Sequence, residues 1–234
     1  IEIKRACEAI KFQLDLYMKE SSMIIAHHRN PTSTKNKISQ THPIFVSNDQ
    51  LNSDYYVIHN GVITNCDDLK EKHEKLGFKY TTQYEDNEYS THYSKTKFND
   101  SESLAIELAL LIEKKEKVLG TENSAAFIVL QINKKTQLAE KVFFGKTAKY
   151  AALKMSKTRG KLRLSSEGEG SDVKEELLYS FKLEDHTMNL TSQKMILKKY
   201  EKPKPIEVKK TEVVTTSIAH KEDCDCPQCK TLEA

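Results

Sequence analysis

The chain has 234 residues, of which 38% are hydrophobic and 30% are charged, and its 37 lysines and arginines outnumber its 34 aspartates and glutamates by three. The apolar residues cluster in short runs, which excludes a disordered chain, and no run approaches the roughly 18 residues that a membrane-spanning helix needs. So small an excess of positive charge is no argument for nucleic-acid binding.

Cysteine usage and the first residues bear on where the protein works. Three of the five cysteines fall within the last eleven residues, so they do not form the spaced framework of a disulfide-rich secreted domain. Residues 1–20 carry charges throughout and lack the apolar segment of a signal peptide. We therefore expect a reducing, cytoplasmic location, with neither a membrane nor a nucleic acid as partner. The chain opens with Ile1 rather than methionine, from which we expect that translation begins further upstream.

The first predicted elements are a helix and a strand. Apolar residues recur at helical spacing over residues 4–20, which predicts an amphipathic helix. Residues 23–26 are a short apolar run and predict a buried strand. The polar run over 27–34 contains a proline and several small hydroxyl residues, so it is interpreted as a loop.

A second strand is predicted over residues 55–59, where tyrosine and β-branched residues gather. It meets the dipeptide Asn60-Gly61, which strongly favours a tight hairpin turn. Residues 62–63 would then continue the ribbon beyond the turn.

Two further helices are predicted before residue 120. The first is capped by Asn65 or Asp67 and closed by Gly77. Residues 79–98 are polar and rich in tyrosine without periodicity, so they are interpreted as a surface excursion. The second helix is expected to be capped by Asp100 and to carry an apolar stripe of leucines.

From residue 120 onward the sequence consists of short apolar runs separated by turn residues. Six strands are predicted, over residues 125–132, 137–144, 161–165, 178–183, 187–190 and 194–200. Residues 150–155 are ambiguous between strand and helix. With the helices of the first half, this pattern predicts an α+β protein with segregated helical and sheet layers. Residues 201–219 are interpreted as a linker or an edge strand, and residues 220–234 as a cysteine-bearing tail.

Several polar features each admit two interpretations. Arg29 follows a predicted strand and can offer a bidentate fork to a carboxylate, but it also suits a solvated loop. The Asn60-Gly61 dipeptide can supply a side-chain amide and a backbone N–H to one oxyanion, or form a plain hairpin turn. Asp100 can hold an ammonium group or cap a helix. The two histidines before Arg29 alternate in direction if the strand continues, so at most one of them faces a given site.

Taken in order, these features resemble a known pattern. An H-x-R loop at residues 27–29, an HP pair at 42–43, an HNG turn at 59–61 and a D-S-E helix start at 100–102 occur along the chain. This succession is similar to that of the glutaminase domain of class II glutamine amidotransferases, above all the glucosamine-6-phosphate synthase and amidophosphoribosyltransferase branches. The resemblance is specific over residues 26–102 and weaker after residue 120.

The resemblance implies a fold and its extent. The family has the four-layer αββα sandwich of N-terminal-nucleophile hydrolases, here without its opening strands, so the fold would be N-terminally incomplete. The domain would cover residues 1–200. Residues 84–98 would form an insertion near the rim of the pocket, as a solvated loop, a lid or a partner surface.

The resemblance also implies a site, whose substrate-binding residues would be Arg29, Thr32, His42 and Asp100. In that site Arg29 would bind the α-carboxylate of glutamine, and Asp100 would hold the α-ammonium group. The Asn60 side chain and the Gly61 N–H would form the oxyanion hole, where negative charge develops during amide hydrolysis.

The nucleophile departs from the family pattern. The family uses an N-terminal cysteine, whose own α-amino group serves as the base. Here residue 1 is isoleucine, while Cys7 lies on the apolar face of a predicted helix and Cys66 has no catalytic role in the family. We therefore expect the chain as it stands not to hydrolyse glutamine.

The C-terminal tail carries a possible zinc site. His220, Cys224, Cys226 and Cys229 place four metal-binding side chains within ten residues. The Cys-x-x-Cys spacing allows two thiolates to share one tetrahedral zinc. The alternative is a disordered tail that happens to carry cysteines.

Three functional hypotheses follow. The first is a glutaminase domain that hydrolyses glutamine to glutamate and ammonia through a cysteinyl thioester, without a cofactor, and passes ammonia to a separate protein or domain. The second is a catalytically inactive family member kept as an amino-acid-binding or assembly module. The third is an interaction protein stapled by zinc at its tail.

Overall fold

The computed structural model describes residues 23–28, 37–84, 98–158, 161–184 and 189–198. All of these belong to the first of two compact units, Ile1–Tyr200 and Glu201–Ala234. The predicted helix over 4–20, Arg29, Thr32, most of the predicted insertion and the cysteine-bearing tail lie outside the described residues.

Within the described residues the architecture is a mixed α/β one, with many strands and few helices. The strands are β1 (Ile44–Val46), β2 (Ser53–Gly61), β3 (Val118–Leu119), β4 (Ala125–Asn133), β5 (Ala139–Lys146), β6 (Lys154–Thr158), β7 (Lys161–Ser165), β8 (Ser171–Asp172), β9 (Leu177–Lys182), β10 (Thr191–Lys194) and β11 (Ile196–Leu197). The α-helices are α1 (Cys66–Lys75) and α2 (Asp100–Ile112), and a short 3-10 helix covers Ile38–Gln40.

A six-stranded antiparallel sheet forms the centre, in the order β1-β2-β4-β5-β9-β10. Both of its faces are covered, which explains why β4 is an almost unbroken apolar run rather than an alternating one. Phe127 and Val129 belong to the core shared with the helices. Ala126 and Leu130 belong to a second core, to which the three-stranded sheet β7-β6-β8 contributes. A helical layer, the central sheet and a small sheet are thus seen, and the four-layer αββα sandwich stays a prediction.

Helix α1 begins and ends close to the predicted points. Asn65 is its N-cap residue, but the Asn65 side chain makes no capping bond and instead joins Gly120 O and Glu122 N, each at 2.9 Å. Two aspartates in the first turn favour the positive end of the helix dipole. Gly77 follows the helix with a φ of +82°, a conformation that glycine adopts most easily.

Helix α2 shows a correction at its N-terminus. The predicted cap was Asp100, whereas the cap is Asn99, whose Oδ1 accepts a hydrogen bond from Ser101 N at 3.0 Å. Asp100 is the first residue of the helix itself. The helix is buried on nearly every side, and each fully buried leucine, such as Leu104 or Leu108, stabilises the fold by about 1.5–3 kcal/mol.

The hairpin expected at Asn60-Gly61 is absent, and that prediction was wrong. Strand β2 continues through both residues, which pair with Ala126 and Ala125 of β4. The N–H of Ile63, which a returning ribbon would place beside β2, instead donates to the Asp100 carboxylate. Long-range pairing has therefore overridden the local preference of the dipeptide.

Other predicted elements differ in detail. Residues 23–28 contain no strand, although their side chains alternate between partly buried and exposed. Asn189 and Leu190 also lie outside any strand, and the strand expected over 194–200 is replaced by β10 and β11. The ambiguous segment 150–155 leads into β6. The ends of the predicted surface excursion are not on the surface, since Thr82 and Phe98 are buried.

None of the helices in the described part of the chain is long and apolar enough to cross a membrane.

Candidate functional site

The end of β2 and the start of α2 meet at one corner of the fold. The backbone N–H of Ile63 donates to Asp100 Oδ2 at 2.8 Å, and the ring of His59 lies with Nδ1 2.9 Å from Ser101 Oγ. Two segments that the sequence separates by about forty residues are thereby joined. The HNG motif and the D-S-E motif, which the sequence analysis placed in one site, are adjacent in the structure.

His42 links these two segments further. Its Nδ1 accepts a hydrogen bond from the backbone N–H of His59 at 3.0 Å, and its Nε2 lies 3.1 Å from Ser101 Oγ. Strand β1 begins only at Ile44, so the His42 ring takes the place of a backbone partner at the edge of β2. Both ring nitrogens are engaged by protein groups, which makes His42 part of the framework of the corner. A direct contact with substrate stays a prediction.

His27 is the third histidine at this corner, beside His42 and His59. Its ring stacks on that of His42 with the centroids 4.0 Å apart, and its Nε2 donates to His59 O at 3.2 Å. The neighbouring His28 is exposed. Of this pair, His27 contacts His42 and His59 and His28 does not share its burial; that at most one of them faces a ligand site stays a prediction.

Three members of this corner were not among the predicted site residues: His27, His59 and Ser101. Each of them lies inside a motif that the sequence analysis used, one position or two from a predicted residue. Burial alternates along 23–28 in the structure, but the sequence of this segment does not alternate between apolar and polar residues, so it does not select His27 over His28. Nothing in the sequence indicates that Ser101 bridges two histidines.

The His59 ring is uncharged near neutral pH. Burial is the main cause that lowers the pKa of His59, to about 4, and neighbouring His27 lowers it further, while the Asp100 carboxylate opposes the shift. Four per cent of His59 is exposed. The corner therefore offers oriented hydrogen-bonding groups and one carboxylate, and no cationic histidine at position 59.

Asn60 and Gly61 end the strand at this corner. Side chains alternate along a strand, so Asn60 lies on the sheet face opposite His59, on the side of Tyr56 and Ile58. Asn60 is exposed, as is Gly61.

The backbone N–H of Gly61 lies on the side of β2 away from β4. Ala125 of β4 lies opposite Gly61 in the register. The Ala125 N–H donates to Thr147 Oγ1, and the Ala125 C=O accepts from Thr147 N, both at 2.9 Å. Gly61 and Ala125 are therefore a non-hydrogen-bonded pair, and the Gly61 N–H points away from β4. Strand β1 pairs with β2 only as far as Val57, so it does not cover this N–H.

The cysteine within the described residues is not a candidate nucleophile. Burial is the first cause that raises the pKa of the Cys66 thiol, to about 11, and the nearby Asp67 and Asp100 carboxylates raise it further. A thiol with such a pKa is protonated and a poor nucleophile at neutral pH. No group of histidine, cysteine and acidic side chains suited to a metal ion occurs within the described ranges, and the predicted zinc ligands lie outside them.

A second cluster of buried ionisable groups joins α1 to α2. The Glu107 carboxylate accepts hydrogen bonds from Lys72 Nζ, His73 Nε2 and Gly120 N, each at 2.8 Å. The Tyr80 hydroxyl lies 2.7 Å from the other nitrogen of His73. Burial alone would raise the pKa of Glu107, but its hydrogen bonds with His73 and Lys72 outweigh burial and lower it. These groups are hydrogen-bonded to one another, so the cluster is interpreted as a structural contact that holds α1 against α2.

Comparisons with known proteins give matches among solved structures only. No family model matches the chain, and no curated protein does. One similar structure is that of the allosteric regulatory enzyme of purine biosynthesis, with a TM-score of 0.45 and 13% identity over 72% of this chain and 34% of that one. Another is glutamine phosphoribosylpyrophosphate amidotransferase from B. subtilis in complex with ADP and GMP, with a TM-score of 0.42 and 14% identity over 68% of this chain and 33% of that one.

The chain thus spans about one third of the length of these solved structures. At these identities and TM-scores neither structure transfers a function, so the function has to be inferred from the residues of this chain.

Proposed function

We propose that this chain is a glutaminase-type domain that binds L-glutamine at the corner where β2 ends and α2 begins. The observation that carries the proposal is the 2.8 Å hydrogen bond from the backbone N–H of Ile63 to Asp100 Oδ2. This bond ties the residues that follow Gly61 to the start of α2. It thus joins a strand end, whose Gly61 N–H is not covered by β1 or β4, to a carboxylate at the start of a helix. An amide and an ammonium group, both present in glutamine, need those two kinds of partner.

The amino-acid end of glutamine would be held by opposite charges. Asp100 receives the α-ammonium group, since a carboxylate has about four acceptor positions and can accept several donors besides the Ile63 N–H. Arg29, with Thr32 beside it, receives the α-carboxylate through its planar fork. His27, two residues before Arg29 in the chain, lies against the edge of β2 at this corner.

The side-chain amide would be held by the oxyanion donors. Gly61 supplies a backbone N–H that faces away from β4, and Asn60 supplies an exposed side-chain amide at the same strand end. Donors fixed in advance where negative charge develops stabilise a tetrahedral intermediate, and removal of one typically lowers the rate by about 10²–10³.

Hydrolysis needs a nucleophile in addition to these groups. In the proposed reaction a cysteine thiol gives its proton to its own α-amino group and attacks the amide carbon. The leaving nitrogen takes that proton and departs as ammonia, and water then hydrolyses the thioester to release glutamate and the thiol. Cys66 does not suit this step, because its thiol is buried and its pKa is raised. The nucleophile would be an N-terminal cysteine in a form of the protein that carries one, and the ammonia would pass to a separate acceptor protein or domain.

Binding without hydrolysis is the second candidate function. The proposed binding groups Asn60, Gly61 and Asp100 need no nucleophile to hold an amino acid, and the thiol of Cys66 is buried with a raised pKa. A domain of this composition would act as a glutamine-binding or assembly module.

Thermal unfolding of the full chain with L-glutamine tests the proposal, since a ligand that binds only the folded state raises the Tm. We expect a saturable rise for L-glutamine and its loss in Asp100→Asn, in which the amide oxygen can still accept the Ile63 N–H. Asp49→Asn, a change at an exposed carboxylate, is the matched control and should keep the rise. If Asp100→Asn retains the full rise, the assigned site is wrong.

A further inference from the structure

The positions of the ring hydrogens at this corner follow by elimination. A backbone N–H can only donate, so the bond from His59 N to His42 Nδ1 leaves that ring nitrogen without a hydrogen. A neutral histidine carries one ring hydrogen, which must then be on His42 Nε2. That hydrogen is donated to Ser101 Oγ, 3.1 Å away.

The ring hydrogen on His42 Nε2 determines where the hydroxyl hydrogen of Ser101 is directed. Its hydrogen cannot point to His42 Nε2, because that atom already bears one. Ser101 is buried, and its remaining side-chain neighbour is His59 Nδ1 at 2.9 Å. The Ser101 hydrogen is therefore donated to His59 Nδ1, and the neutral His59 ring carries its own hydrogen on Nε2. The low pKa of His59 agrees with a neutral ring.

The resulting Nε2–H of His59 has no hydrogen-bond partner among the described residues, although the atom is buried. Every other polar atom of His59 is engaged: its backbone N–H by His42, its backbone C=O by His27 and its Nδ1 by Ser101. Buried donors without a partner are rare in folded proteins and call for a physical explanation.

The unpartnered donor lies beside Gly61. A Cβ on Gly61 would come within 2.9 Å of His59 Nε2 and within 2.3 Å of Ser124 O. The φ of Gly61 is +141°, a conformation that side-chain-bearing residues rarely adopt. Glycine therefore allows the His59 donor to lie directly against the end of β2, next to the backbone N–H of Gly61.

We propose that His59 is a further ligand-binding residue, whose Nε2–H donates a hydrogen bond to an oxygen of the ligand bound at the end of β2. The inference rests on the proposed function for the place of the ligand, and it adds a neutral donor that the family resemblance did not assign. His42 and Ser101 act as positioning residues, because they hold the His59 ring in the tautomer that can donate. The ligand oxygen is of the carbonyl or carboxylate class.

Nitrogen NMR of the full chain with 15N-labelled histidine tests this directly. We expect His42 and His59 both to be neutral with the hydrogen on Nε2 at pH 7, and we expect saturable movement of the His59 Nε2 resonance as L-glutamine is added. A His59 ring that is cationic or protonated on Nδ1 overturns the inference. Glutamine binding that leaves this resonance unmoved overturns it as well, while the proposed function stands.

L-Glutamate and acetamide serve as second probes, because they carry a carboxylate and an amide carbonyl. If L-glutamine does not bind but one of these probes moves the His59 Nε2 resonance, the proposed function fails and the inference survives. If none of the three moves it, the inference is wrong.

A variant of Ser101 distinguishes a His59 ring that donates a hydrogen bond to the ligand from one with only a structural role. Ser101→Ala keeps the His59 ring and removes the hydroxyl that fixes its tautomer. We expect its Kd for L-glutamine to rise about tenfold, with part of His59 appearing in the Nδ1–H form. His28→Gln, at the exposed neighbour of His27, should leave both readouts unchanged. An unchanged Kd in a folded Ser101→Ala variant with a mixed tautomer would contradict the donor role.

Discussion

Asp100 Oδ2 accepts the backbone N–H of Ile63 at 2.8 Å, and this bond ties the first turn of α2 to the residues that follow Gly61. The bond explains two features together. It ends the β2 ribbon, because the Ile63 N–H is not available to a neighbouring strand. It also places a carboxylate at the corner where β2 ends with Gly61, which is the arrangement on which the proposed glutamine site depends.

Replacement of Gly61 tests the close packing at this corner. In Gly61→Ala the new Cβ would lie 2.3 Å from the backbone oxygen of Ser124, so the strand end must move. We expect a loss of about 2–4 kcal/mol in the free energy of unfolding and loss of the thermal protection by L-glutamine. Urea unfolding and thermal unfolding measure the two effects.

Gly168→Ala is the matched control for that variant. Gly168 also has a positive φ, of +83°, but the nearest atom to its Cβ would be the flexible end of Arg163 at 3.3 Å. Only the conformational cost of about 1 kcal/mol should appear, with protection by glutamine intact. Equal losses in the two variants would show that backbone conformation, and not contact with Ser124, limits position 61.

The buried His59 ring makes stability depend on pH. Its pKa falls from 6.5 to about 4 on folding, so the unfolded chain binds more protons between these values. The stabilisation is therefore complete above pH 6.5 and is lost as the pH falls toward 4, by about 3 kcal/mol. Urea unfolding at a series of pH values measures this loss.

His59→Asn removes the titrating ring and keeps an oxygen that can accept from Ser101. Its stability should fall less steeply between pH 6.5 and 4.5 than that of the unaltered chain. His28→Asn, at an exposed histidine, should retain the original slope. The account of His59 as a buried neutral ring fails if the His59→Asn and His28→Asn slopes are the same.

The Glu107 cluster should contribute to stability and not to ligand binding. Glu107→Gln leaves buried His73 without a carboxylate partner and leaves Lys72 with Glu116 alone, and we expect a loss of about 2–4 kcal/mol in the free energy of unfolding. Glu71→Gln, which breaks an exposed pair with Lys75, should remain close to the unaltered chain. The rise in Tm with L-glutamine should persist in both variants, and its loss in Glu107→Gln alone would place the ligand elsewhere.

Cys66 should be inert in the folded protein. Its thiol is buried and its pKa is raised to about 11, so it holds little thiolate at neutral pH. We expect iodoacetamide to leave Cys66 unmodified in native buffer and to modify it fully in urea, as read by peptide mass mapping. Rapid labelling of Cys66 in the native state would contradict its assignment as a structural residue.

Local pattern predicted the elements whose signals are local. Strand β7 lies where it was expected, and α1 ends before Gly77 as expected, because apolar spacing, caps and glycine act over a few residues. Strand β1 was missed, since three residues at a sheet edge carry too little pattern. The extension of β2 through Gly61 depends on pairing with β4 and is not visible in the dipeptide itself.

The candidate site also contains some residues with a local sequence signal and others whose contacts depend on the fold. Asn60, Gly61 and Asp100 were predicted as site residues because they belong to motifs that occur in a fixed order, and their roles stay predictions. The hydrogen bonds that link His42 and His59 through Ser101 were not predicted. Ser101 is separated in sequence from His42 by 59 positions and from His59 by 42, so these side chains meet only after folding. The N-cap was misplaced by one residue, since both Asn99 and Asp100 suit that position and only the geometry selects Asn99.

Isothermal titration of the full chain with L-glutamine tests the central claim most directly. We predict one saturable binding event per chain for L-glutamine, weaker or absent binding of D-glutamine, and no detectable binding in Asp100→Asn. Asp49→Asn should bind as the unaltered chain does. Absence of binding to the unaltered chain, or equal binding by Asp100→Asn, would contradict the assignment of the β2–α2 corner as a glutamine site.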